Sequence, residues 1–187
     1  MKNKKNKLVA LLVVGLIGIN MVSAQEKYID KNGTLVFEAS EKLFEEVKAE
    51  NTSVTAILDT KTGEIAALGL MKGFRFKNSL MEEHFNENYI ESETYPKAIF
   101  KGNLIDFEFK SLSEIEQKLT TTGILELHGK EKEISTILTI KKIDKSISIQ
   151  GNFAVTPEDF DIEIPKIVKN KIAREVLVQL TFNLIEK

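Results

Sequence analysis

Ser146-Ile147-Ser148-Ile149-Gln150-Gly151-Asn152-Phe153-Ala154-Val155 alternates strictly between apolar and polar positions over most of its length. Ile147, Ile149, Gly151, Phe153 and Val155 share one face, while Ser146, Ser148, Gln150 and Asn152 share the other. Successive side chains of a strand point to opposite sides, so one face is buried and one is wet, as in antiparallel sheet. The run Ala173 to Ile185 repeats the pattern, with Val176, Val178, Leu180, Phe182 and Leu184 on one face. Pro157 and Pro165 both fall between the two runs. A non-strand excursion is expected there, because proline cannot donate to a ladder.

The preceding chain reads in the same way. Glu133 to Ile143 is a strand, and Lys141-Lys142-Ile143-Asp144-Lys145 is the hairpin tip that joins it to Ser146. Thr121 to His128 and Lys97 to Phe109 are strands, whereas Leu112 to Leu119 fits a helix or an irregular strand. Thr52 to Leu58 and Glu64 to Leu70 flank the turn Asp59-Thr60-Lys61-Thr62-Gly63. Tyr28-Ile29 and Thr34 to Phe37 flank Asp30-Lys31-Asn32-Gly33, where Asn-Gly predicts a second hairpin. Ser40 to Ala49 places Leu43, Phe44 and Val47 at helical spacing and predicts a short helix or an irregular connection. Its capping box is incomplete, since Leu43 stands where Glu or Gln would close it.

About eight long antiparallel strands build either a sandwich or a closed barrel. Linkage in sequence order favours an all-β, eight-stranded antiparallel up-and-down barrel, with short helical segments at its mouth. Such a barrel is either filled by side chains or holds one small ligand, and alternation alone leaves both open.

The N-terminus reads as a targeting segment, residues 1–24. Lys2, Lys4, Lys5 and Lys7 precede the apolar run Leu8 to Ile19, and Val22-Ser23-Ala24 supplies the small residues of a cleavage site before Gln25. The run is shorter than the roughly 20 apolar residues that span a bilayer, so no stable membrane insertion is expected after cleavage. Residues 25–187 form one domain, periplasmic or secreted. The chain has no cysteine, which excludes disulfides, thiolate metal sites and cysteine nucleophiles. Removing the signal leaves 22 basic against 28 acidic residues, a net charge of −6, which argues against nucleic acid. A homodimer remains compatible with the sequence.

Chemistry-bearing motifs are scarce. His84 and His128 are the only imidazoles, and no His-Glu-x-x-His, Gly-x-Ser-x-Gly, P-loop or dinucleotide glycine pattern occurs. A metal site from His84, Glu87 and His128 would need three separated groups to converge. No metal, cofactor or catalytic residue is expected. The segment Leu80 to Gly102 instead gathers His84 with several aromatics. Met81, Phe85 and Tyr89 recur every four residues, consistent with a helical turn laying an apolar stripe on the barrel mouth. Glu82, Glu83, Glu87, Glu91 and Glu93 form its acidic outer face. The stripe is either a plug of the core or a lid over a cavity.

Three ordered motifs resemble one family. Met81-Glu82-Glu83-His84-Phe85 precedes a strand from Tyr95-Pro96 to Phe100; Gly123-Ile124-Leu125-Glu126-Leu127-His128-Gly129 is a strand ending in His-Gly; and Phe153-Ala154-Val155 leads to a corner at Asp159-Phe160-Asp161. Together they are similar to the YceI-like lipid-binding domains. Asp161 stands at the corner glycine, and Pro157 stands where a basic residue is common.

The resemblance implies an extended, lipocalin-like barrel in an exported, non-catalytic protein that holds a polyisoprenoid or similar long apolar lipid. It implies that Phe37, Leu58, Phe76, Phe100, Leu125, Leu127, Phe153, Val178, Leu180 and Phe182 point inward. Phe85 is then turned inward too, and His84, Asn88 and Tyr89 are the candidates for polar contacts at the mouth. Gly69, Gly102 and Gly151 would leave room for a tunnel. The alternative is a solid-cored barrel serving as a protein-interaction or stress-related structural domain.

Overall fold

The alternating runs become strands β1 (Lys27–Ser40), β2 (Lys48–Asp59), β3 (Glu64–Leu70), β4 (Arg75–Phe76), β5 (Lys97–Leu104), β6 (Gln117–Leu127), β7 (Lys130–Ile143), β8 (Ser146–Val155) and β9 (Ile172–Glu186). The computed structural model describes residues 27–41 and 43–187. The signal segment expected at residues 1–24 lies outside them.

Every pairing is antiparallel, in the order β1-β9-β8-β7-β6-β5-β3-β2, and β2 pairs again with β1. The sheet therefore closes into an eight-stranded up-and-down barrel, as the alternation and the resemblance both lead one to expect. The short β4 is extra, pairing only with the start of β2 through Ala49↔Phe76 and Glu50↔Arg75.

One local expectation gives way. Asn32-Gly33 is not a hairpin turn, because β1 runs straight through it and both halves pair with the same two neighbours. The signal marks a bulge, with register shifts on either side of Gly33. Asp30 holds it by accepting from the amides of Asn32 (2.8 Å) and Asn183 (2.7 Å). A side chain at Gly33 would collide with the Phe182 ring, so the glycine serves close packing rather than a turn. The described residues between β1 and β2 are irregular rather than helical. They are closed by Ser40, whose hydroxyl accepts from the Val47 amide at 3.0 Å.

The two ends of the barrel differ. At one, the connection between β5 and β6 folds back so that Phe107, Phe109 and Leu112 cover the opening, with Phe109 5.7 Å from the Tyr28 ring. Neither reading of Leu112 to Leu119 fits the whole run. Leu112 belongs to this cover, and a regular strand begins only at Gln117. Above the cover, Leu58, Leu138, Ile140, Ile147, Ile149, Phe182 and Leu184 are sealed from solvent. Towards the other end lies a second apolar cluster that includes Met71, Phe74, Ile90, Leu125 and Phe160. Leu35 and Phe100 touch both clusters and mark the boundary.

Candidate functional site

Along β8 the inward face changes character. Ile147 and Ile149 are fully buried, while Phe153 and Val155 on the same face are only half-buried. β9 repeats this, with Leu184 and Phe182 buried and Val178 and Val176 half-buried. The half-buried positions face an apolar cavity of about 490 Å³ in the upper half of the barrel. Its wall includes Leu35 and Phe37 of β1, Ala98 of β5, Leu125 and Leu127 of β6, and the inward residues just named.

The connection from β3 to β5 forms the roof. A single 3₁₀ turn, Met71–Gly73, leads to Phe74 and β4. Asn78 then caps helix α1 (Ser79–His84), its side chain accepting from the Leu80 amide at 2.9 Å. The chain continues as one π-helical turn, Phe85–Tyr89, closed by the Ile90 amide donating to the Phe85 carbonyl at 2.9 Å. This geometry sets Met81, Phe85 and Tyr89 against the cavity. The Phe37 ring, rising from the wall, lies 5.3 to 5.6 Å from those of Phe74, Phe76 and Phe85. Those separations are typical of favourable aromatic pairs and tie roof to wall.

Nine of the fourteen residues expected at the site line the cavity: Phe37, Phe76, His84, Phe85, Tyr89, Leu125, Leu127, Phe153 and Val178. The other five do not. Leu58 and Phe182 belong to the sealed cluster, Leu180 packs against it, and Phe100 sits at the boundary. Asn88 is exposed on the outer side of the π turn. The space beside two of the three glycines is also occupied. The Leu138 side chain fills the place a Cβ would take at Gly151, and Leu35 and Val54 lie in ordinary contact distance of one at Gly69. At Gly102 the opposing strand itself leaves no room.

Several lining residues escaped the sequence reading. Phe74 follows a 3₁₀ turn, Phe44 sits in an irregular connection, and Ile162, Ile164 and Val168 lie in the excursion between β8 and β9. Only the apolar-polar-apolar spacing of Ile162 and Ile164 carried a signal. Ionisable side chains in the lining are Glu45, His84, Tyr89 and Lys171. Glu45, His84 and Lys171 are exposed, so the charge gathers at the rim and the interior stays apolar.

The His84 side chain makes no hydrogen bond or ion pair among the described residues. No group of three His, Asp or Glu side chains there could hold a metal.

The other histidine ties the mouth together. His128 and Gly129 have positive φ (50° and 71°) and form the two-residue turn between β6 and β7. The His128 ring is buried. Nδ1 donates to the Phe160 carbonyl at 2.9 Å, Nε2 lies 3.0 Å from a Glu91 carboxylate oxygen, and the Tyr95 ring centroid is 4.3 Å away. One side chain thus joins the roof, the β6–β7 turn and the excursion after β8. Beside it, Asp161 occupies the corner in the left-handed region (φ 54°) and pairs with Lys130 at 2.7 Å. The Lys130 ammonium, donating to that carboxylate, holds the Asp161 carboxyl below its ordinary range. The pair is exposed, so it contributes little to stability.

His128→Asn should keep the turn, since asparagine tolerates positive φ, but lose the reach to Glu91. A loss of about 1–2 kcal/mol is expected, with faster amide exchange at Phe160 to Ile162. Unchanged exchange there would show that the histidine is not what ties the excursion down.

The YceI-like domain family profile matches residues 27–184. A polyisoprenoid-binding domain from Saccharophagus degradans implicated in plant cell wall breakdown superposes with a TM-score of 0.75 at 16% identity, covering 87% of this chain and 99% of that one. Burkholderia cenocepacia BcnA superposes at 0.63 and 16% identity, covering 82% and 96%. The Campylobacter jejuni YceI protein does so at 0.58 and 15%, covering 79% and 88%. No curated protein sequence matches the chain.

Proposed function

Because the chain belongs to the YceI-like domain family, we propose that it is an exported, non-catalytic carrier that holds an apolar lipid of isoprenoid type inside its barrel. The supporting observation is the cavity itself: about 490 Å³, walled by aliphatic and aromatic side chains, with ionisable groups confined to the rim. Burying an alkyl chain there gains about 0.8 kcal/mol per methylene relative to water. A lipid's alternative is a membrane interior, against which that gain nearly cancels. Retention then depends on fit and on polar contacts at the rim, where His84, Tyr89 and Lys171 are placed. Export to the periplasm or exterior is supported by the basic n-region, apolar run and small residues of positions 1–24. Among the described residues no helix is long and apolar enough to cross a membrane.

Native mass spectrometry of the protein purified without detergent should show a lipid adduct released by collisional activation. Protein that carries none, and takes up none from isoprenoid-containing micelles, would sink the carrier reading.

A further inference from the structure

Among the described residues, the apolar cavity occupies the upper half of the barrel. Water's share of liquid volume is about 30 Å³, and a methylene is of similar size. The cavity of about 490 Å³ therefore holds on the order of sixteen heavy atoms. Below it there is no continuation. Ile140, Ile147, Ile149 and Leu184 are completely shielded, and the notches beside Gly33 and Gly151 are already taken by Phe182 and Leu138. Leu35 and Phe100, touching both clusters, form the floor, Leu35 as its lining side chain and Phe100 as part of the packing beyond the lining. Deepening the cavity would require moving several close-packed side chains at once, which native packing density resists.

We propose that this site selects apolar chains of three to four isoprene units, or straight chains of similar carbon count, and excludes longer ones by the Leu35–Phe100 floor. The proposal rests on the carrier reading and adds the size class of the ligand. The same limit applies to prenyl and saturated chains, so both belong in the test.

The protein would be equilibrated with non-ionic detergent micelles containing equimolar geraniol, farnesol, geranylgeraniol and octaprenol, which carry two, three, four and eight isoprene units. A parallel arm would use hexadecanol, and adducts would be read by native mass spectrometry. Farnesol and geranylgeraniol should dominate, with octaprenol bound at least about tenfold less. Hexadecanol uptake matching farnesol would mark the selection as one of length, whereas prenyl uptake alone would add branching to the requirement and overturn the straight-chain part. Phe100→Ala frees the space of about six carbons, roughly one isoprene unit, and should shift the distribution from farnesol towards geranylgeraniol, and Leu35→Ala serves if that variant does not fold.

Octaprenol bound as well as farnesol would overturn the size limit while leaving the carrier reading intact. Unshifted distributions in both folded variants would overturn the assignment of the floor. No adduct in any arm would remove the carrier reading and the limit together.

Discussion

Phe182→Ala is expected to lower the unfolding free energy by about 3–5 kcal/mol, the usual cost of deleting a buried phenyl ring. The ring is 2% exposed, belongs to the sealed lower cluster and fills the notch that Gly33 leaves in β1. Neither neighbour can take its place, because a backbone bulge held by Asp30 supplies one side and close-packed aliphatic residues the other. The lost volume thus persists as a void. Urea unfolding should show a fall in the midpoint at unchanged slope. A change below about 1 kcal/mol would mean that the lower half is loosely filled after all.

Val178→Trp is expected to abolish lipid uptake, by a hundredfold or more, while sparing the fold. Val178 is half-buried on β9, paired with Phe153 on one side and Phe37 on the other, and its side chain faces the cavity. An indole there takes space a ligand would occupy. Displacing about four methylenes or more, each worth about 0.8 kcal/mol against water, exceeds the roughly 2.8 kcal/mol that a hundredfold represents. The empty volume receives the larger side chain, so overpacking should be mild. Native mass spectrometry, paired with thermal unfolding, reads both effects. Normal uptake by a folded variant would place the ligand elsewhere.

Contrasting these two residues shows what alternation can and cannot reveal. Phe182 and Val178 stand on the same face of one strand, and the alternation makes them equivalent inward positions. Period two reports which side a residue faces. Whether side chains from the opposite wall reach across to meet it is a property of the whole cross-section, and no single strand encodes it. Hence the barrel, its order and its inward faces were legible, while the division into a packed half and an empty half was not.

Asn32-Gly33 failed for a related reason. The dipeptide favours a turn locally, but the runs on both sides find the same partners in β2 and β9, and tertiary pairing overrides the local signal. At the mouth, the spacing of Met81, Phe85 and Tyr89 correctly placed an apolar stripe. The shift from α to π geometry and the role of His128 depended on contacts with remote segments, Phe160 above all.

The cover formed by Phe107, Phe109 and Leu112 makes the barrel a cup and not a pipe. A cup has one opening, so whatever is loaded must leave by the way it came, and a two-ended guest has to go in apolar end first. On the carrier reading, its polar end would be the part displayed between Glu45, His84 and Lys171, whatever the length of chain below. A donor and an acceptor of the cargo would therefore meet the same rim, one after the other.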